Sequence, residues 1–149
     1  MKTMKSALAG ALALTAVGMM TVPAAAHKVF LDKARKMYQL DAKNGKCDLC
    51  HEIKPKEEPG AKNLNAYGKA IAADPEMKSL LGKKEEYKFS DAEIATLVKV
   101  MTKLETEDSD KDGATNKEEL DLGTNPGDAK NTPDKKTLAK YRKDHPAKK

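Results

Sequence analysis

The chain has 149 residues, 34% of them charged and 39% apolar, with a formal net charge of +5, no tryptophan, two phenylalanines and four tyrosines. That length suits a single domain, and so few large side chains restrict the core that can offset the entropy of folding. The basic balance comes without interleaved aromatic residues or a recognition motif, which argues against a nucleic-acid partner.

Residues 1–26 hold Lys2 and Lys5, an apolar run from Ala7 to Val22, and then Pro23-Ala24-Ala25-Ala26. This is the pattern of a secretory signal peptide with a small-residue cleavage site. The run is short for a membrane span and no second one follows, so the product is expected to carry no integral membrane segment. No cysteine lies in this leader to carry a lipid anchor. Cleavage after Ala26 leaves 123 of the 149 residues, beginning at His27, in the periplasm or outside the cell. Without Lys2 and Lys5 the net charge is +3, unevenly spread: residues 130–149 carry +6 and residues 27–129 carry −3.

From Val29 to about Asp41, Phe30, Ala34, Met37 and Tyr38 recur at helical intervals and predict an amphipathic helix. Asn44-Gly45 breaks it and leads to Cys47-Asp48-Leu49-Cys50-His51. Two thiols separated by two residues and followed at once by an imidazole have the spacing that attaches a c-type haem. In that reading Cys47 and Cys50 form thioethers to the porphyrin vinyl groups and His51 is the proximal ligand of the iron. Three other readings stand beside it. A redox dithiol usually sits in a βαβ pattern, which the flanking residues lack. A zinc site needs four ligands, and the chain has only two cysteines and three histidines. A disulfide closing so short a loop adds little stability and leaves His51 without a role. The haem reading also gives a chain poor in bulky side chains something to close around.

Residues 52–62, with Pro55, Pro59 and Gly60, read as a surface loop. A second helix is expected over Leu64–Ala73, capped by Asn63, with Leu64, Tyr67 and Ile71 on one face. Gly68 inside it costs about 1 kcal/mol relative to Ala, and is either simply tolerated or marks close approach to something bulky such as a porphyrin. Asp74-Pro75 starts a short helix to Leu81, stopped by Gly82. Ser90 and Glu93 predict a capping box, and Phe89 with Ile94 a hydrophobic staple. The helix they open presents Ile94, Leu97, Val98, Met101 and Leu104 as its buried stripe and should reach about Glu107.

Asp108-Ser109-Asp110-Lys111-Asp112-Gly113, continuing to Glu119, has the spacing of a calcium loop. The expected ligands are Asp108, Asp110 and Asp112, the carbonyl of Ala114, Asn116 through water, and Glu119 as the bidentate closer, with Gly113 at the sharp turn. A solvated acidic turn is the plainer alternative, though it leaves the regular spacing unexplained. Thr115 and Glu118 suggest a second capping box for an exit helix over Asn116–Leu122 that Gly123 ends. Residues 128–149 form a basic tail, expected to be largely mobile with a helical turn or two around Lys135 to Arg142.

The first helix, the haem motif and the closing helix Ser-Asp-Ala-Glu-Ile-Ala-Thr-Leu-Val resemble the small bacterial class I cytochrome c domain over roughly residues 28–106. Asn63-Leu64-Asn65-Ala66-Tyr67-Gly68 looks like the Asn-x-Tyr-Gly run that follows the haem motif in some secreted cytochrome-like proteins. The acidic loop resembles an EF-hand, and with Gly123-Thr124-Asn125-Pro126-Gly127 it resembles the single calcium repeats of dockerin or thrombospondin type 3 modules. These resemblances imply an all-α fold, with a haem domain at 27–107, an EF-hand-like loop and exit helix at 108–127, and the tail at 128–149. The implied cofactors are one covalent haem c and one Ca²⁺.

The implied function is a periplasmic or secreted single-electron carrier serving redox proteins of the periplasm or cell envelope, with Lys46, Lys54 and Lys56 steering acidic partners. The alternative is a calcium-braced accessory or gas-binding haem module. No distal acid and base pair suggests an enzyme. The second iron ligand is open: Met77 has the chain order of a class I distal ligand, Met101 and Met37 read as core, and His27 and His145 are outside candidates.

Overall fold

The computed structural model describes residues 28–56, 59–60, 62–83 and 87–146. The leader over residues 1–26 and the candidate His27 lie outside the described residues. Among these residues the fold is mostly helical, with six α-helices and no strand, consistent with the all-α class expected. The helices are α1 (Lys28–Tyr38), α2 (Ala66–Ala73), α3 (Pro75–Leu81), α4 (Asp91–Leu104), α5 (Asn116–Leu122) and α6 (Lys135–Asp144), with a single 3₁₀ turn at Cys47–Leu49.

Local chemistry explains where the helices begin. The capping boxes at Ser90/Glu93 and Thr115/Glu118 both form, each satisfying two backbone donors that a helix start leaves open. Asp74 caps α3, with Pro75 at its first turn. The start of α2 differs from the expected Asn63 cap. Asn65 takes that role, its side chain accepting from the Gly68 N–H, because Asn63 and Leu64 are drawn into extended pairing with the chain after the cysteines. Glu52 N–H donates to the Asn63 carbonyl at 2.7 Å, and His51 and Leu64 form an antiparallel bridge. α4 stops at Leu104, short of Glu107, since Glu105 and Glu107 turn their carbonyls to Lys117 and Asn116 at the start of α5.

One apolar cluster joins these elements. Phe30, Ala34 and Tyr38 of α1 meet Leu49, Tyr67 and Ile71, Met77 and Leu80, Leu97, Val100 and Met101, and Leu120 of α5. Val100 is thus buried on α4, whereas Ile94 and Val98 of the expected stripe are only half-buried. Phe30 packs against Phe89 with ring centroids 4.8 Å apart and planes tilted by 49°, fastening α1 to the start of α4. Leu120 carries the cluster past residue 107 into the helix after the acidic loop, and Tyr38 donates to Glu105 at 3.0 Å across the same seam. The tail is more ordered than a turn or two. α6 is capped by Asp134, and Arg142 donates from Nε and Nη2 to the two Glu118 carboxylate oxygens at 2.7 and 2.8 Å and to the Gly113 carbonyl at 2.8 Å.

Candidate functional site

Cys47, Asp48, Leu49, Cys50 and His51 form one tight turn. The Cys47 carbonyl accepts from the N–H groups of both Cys50 (3.3 Å) and His51 (3.0 Å). The remaining carbonyls of the turn are claimed from outside it. Asn65 Nδ2 donates to the Asp48 carbonyl at 2.8 Å and the Leu49 carbonyl at 3.1 Å, Asn65 N–H donates to the Cys50 carbonyl at 3.0 Å, and Asn125 Nδ2 adds a second donor to Asp48 at 2.8 Å. Buried backbone acceptors are costly when unpaired, and here the carbonyls from Cys47 to Cys50 all have partners.

Gly68 is explained by the same turn. A Cβ there would overlap the Cys50 carbonyl oxygen, so α2 can lie against the cysteine backbone only with glycine at this position.

The two sulfurs are unlinked and in different surroundings: Cys47 is exposed and Cys50 is half-buried against the apolar cluster. Burial, with Cys47 and Asp48 beside it, pushes the Cys50 thiol up to about 12. His51 is buried, and that burial holds its imidazole below the ordinary histidine value, opposed in part by hydrogen bonds with the Asn63 side chain and the Gly60 backbone. It is therefore kept neutral near pH 7, the form in which imidazole binds metals.

Two grooves flank the turn. One, of about 450 Å³, is lined by Leu31, Arg35, Lys46, Cys47, Asp48, Ile53 and Pro59. The other, of about 660 Å³, runs between His51, Asn65 and Lys69 on one bank and Ser109 to Lys111 with Asn125 to Asn131 on the other. They share Asp48 and Ile53, and the Ile53 side chain is 50% exposed at the junction. Lys46 lines the first groove and Lys54 the second, and these two and Lys56 are exposed.

Met77 is fully buried on α3 and Met101 nearly so on α4, both within the apolar cluster that contains Leu49, and Met37 is half-buried at its edge. His145 stacks on Tyr141 at the exposed end of α6. Tyr67 is fully buried with no hydrogen-bond partner for its hydroxyl; burial, and then charge on Tyr38, Cys50 and Glu105, raises its pKa well above the usual phenol value.

In the acidic loop, Asp108, Asp110 and Asp112 each bring a carboxylate oxygen within 4.8 Å of the others. Their inner oxygens organise the turn: Asp108 accepts from the N–H groups of Lys111, Asp112 and Gly113 at 2.7 to 3.2 Å, and Asp112 accepts from Ala114 at 2.7 Å. Asp110 Oδ2, Asp112 Oδ2 and Glu119 Oε2 are buried without a hydrogen-bond partner. Glu119 is 0% exposed. Burial, followed by the charges of Asp110, Asp112 and Asp108, pushes its carboxyl up to about 9, and burial with Asp112 pushes Asp110 up to about 6. Ala114 is buried at the seventh position of the loop. The Asn116 amide serves the protein at both ends, Oδ1 accepting from Ser109 N–H at 3.2 Å and Nδ2 donating to the Leu104 carbonyl at 2.7 Å.

Sequence reasoning did not assign Asn65 or Asn125 to the site. Asn65 stood in a noted Asn-x-Tyr-Gly run and Asn125 in a noted turn, but nothing local shows that both donate to one carbonyl, the latter from 77 residues away. Comparisons with protein-family models, with curated proteins and with solved structures returned no match.

Proposed function

We propose that the protein is an exported monohaem c-type cytochrome that carries single electrons between larger redox proteins, with one Ca²⁺ in its acidic loop. The observation that carries this reading is the Cys47–His51 turn: two unlinked thiols and one buried, neutral imidazole within five residues, on a backbone whose carbonyls are satisfied. A thiol held up to about 12 is a poor dithiol reductant, which weighs against the redox alternative. The unpartnered Tyr67 hydroxyl beside this turn also suits a site completed by a group with an acceptor.

Cys47 and Cys50 would tether the haem and His51 would ligate its iron. A bound haem would supply one-electron iron chemistry; the chain's own part is to hold the imidazole neutral, to fix the turn and to offer the Ile53 junction, with Lys46 and Lys54 in the groove linings and exposed Lys56 three residues beyond Ile53, to acidic partners. In the loop, Asp108, Asp110, Asp112, the Ala114 carbonyl and Glu119 would bind Ca²⁺, whose charge relieves the repulsion among carboxylates with unpartnered oxygens. A pyridine haemochrome spectrum tests the haem: the two-thioether c-type band is expected, and a colourless protein from a host with haem-attachment machinery rejects the reading.

A second reading keeps the haem and drops electron transfer. Met77, the candidate distal ligand, and Met101 lie in the same apolar cluster as Leu49; where neither sulfur binds the iron, the sixth position is open to a small gas. Rapid CO binding by the ferrous protein supports this gas-binding module, whereas resistance to CO supports methionine ligation and the carrier.

A further inference from the structure

The strands of chain on the two sides of the larger groove are joined by a short line of contacts. Glu119 closes the acidic loop. Its carbonyl accepts from Thr124 N–H at 2.9 Å, and its carboxylate lies 3.5 Å from the Thr124 hydroxyl. The next residue, Asn125, donates from Nδ2 to the Asp48 carbonyl at 2.8 Å, at the centre of the Cys47–His51 turn, while its Oδ1 accepts from Gly127 N–H at 3.0 Å. Gly127 in turn lies so close to the Asn65 amide that a Cβ would overlap it, and Asn65 holds the same Asp48 carbonyl from the other side. The anchor on the acidic loop, Thr124, and the anchor on the cysteine turn, Asn125, are adjacent residues.

The acidic loop is also the part of the molecule under internal repulsion. Asp108, Asp110 and Asp112 converge, and their charges act on Glu119, which is fully buried and has one oxygen, Oε2, without a hydrogen-bond partner. A cation held by Glu119 and the aspartates would fix the Glu119 side chain and with it the register of Thr124 and Asn125; with the buried Oε2 unmet, that segment is less firmly held toward Asp48.

We propose that Asn125 is a positioning residue through which cation occupancy of the acidic loop controls the order of the Cys47–His51 turn. This rests on the calcium reading above and is independent of whether the turn carries haem. Coupling of this kind needs a contiguous element that both sites bias, and the Glu119-Thr124-Asn125-Asp48 line supplies one.

The test is amide hydrogen exchange on the purified full chain, with 5 mM Ca²⁺ and with chelator, comparing peptides over residues 46–52 and 105–124. Calcium is expected to slow exchange in both by tenfold or more. Asn125→Asp keeps the acceptor for Gly127 but loses the donor to Asp48. In this variant the calcium effect is expected to persist over 105–124 and to shrink severalfold over 46–52. Asn65 still holds the turn, so the variant has reason to fold, and retained protection over 105–124 verifies that it does. Calcium protection confined to 105–124 in the native chain overturns the inference and leaves the calcium reading standing, as does an Asn125→Asp variant with undiminished protection over 46–52. Absence of any calcium effect removes both together. The haem reading is judged separately by the colour of the same sample.

Discussion

The cysteine turn and the acidic loop are built on opposite principles. Around Cys47–His51 the backbone acceptors are met by donors of the protein itself, from Asn65, Asn125 and the turn's own N–H groups. Around Asp108–Glu119 the backbone is equally well organised, yet three carboxylates end in buried oxygens without partners, and burial, then like charge, raises the pKa of two of them. The first region meets its backbone acceptors from Cys47 to Cys50 within the protein; the second leaves three carboxylate oxygens unmet. A turn of complete hydrogen bonding suits covalent attachment, which needs sulfurs held in place, whereas a loop of unmet negative charge suits reversible binding of a hard cation.

The largest effect should come from disturbing the cysteine turn. Gly68→Ala ought to gain about 1 kcal/mol from helix propensity alone, yet its Cβ meets the Cys50 carbonyl, so a net loss of about 3 kcal/mol is expected in denaturant melts. A stabilised variant would show that α2 does not press on the cysteine backbone.

The acidic loop should respond to cations with nearly the same magnitude. At a Ca²⁺ concentration 100 times its Kd, a stabilisation of about 2.7 kcal/mol and a rise in Tm on the order of 10 °C are expected. Glu119→Gln should invert the pattern, stabilising the metal-free chain while weakening calcium binding tenfold or more. The pH dependence has a definite sign. The Glu119 carboxyl is raised to about 9 from 4.5, so its contribution to stability is fully present below about pH 4.5 and is lost as pH rises through about 9. The metal-free Tm should therefore fall over that window, and Glu119→Gln should flatten it.

A smaller and more local difference separates the two sulfurs. In chain made without haem-attachment machinery, Cys50 should be alkylated at pH 8.5 at least tenfold more slowly than the exposed Cys47, since its thiol is held up to about 12. Equal rates would point to a paired dithiol. The least effect belongs to Arg142→Ala. It removes the Glu118 pair at a half-exposed guanidinium, worth less than about 1 kcal/mol, and should speed tryptic cleavage within residues 135–144 without altering calcium affinity.

Much of this arrangement is legible in the residues. Ser90 with Glu93 and Thr115 with Glu118 state where helices begin, because a capping box depends only on neighbours three residues apart. Pro75 and Gly82 bound α3 for equally local reasons. What escapes is set by distant partners. The cap of α2 moves from Asn63 to Asn65 because His51 pairs with Leu64, and Gly68 lies against the Cys50 carbonyl, a neighbour 18 residues away. The length of α6 depends on Glu118 and Asp121, which bind Arg142 and Tyr141. In the site, the spacing of Cys47, Cys50 and His51 and of the loop acids is visible, whereas the donors that hold the turn come from residues 65 and 125.

The most direct test of the haem assignment is the intact mass of the exported, denatured polypeptide, produced in a host with haem-attachment machinery, alongside its Cys47→Ser/Cys50→Ser variant. The account predicts a native chain heavier than its polypeptide by one haem and a variant without that increment. A native chain at the bare polypeptide mass would contradict it.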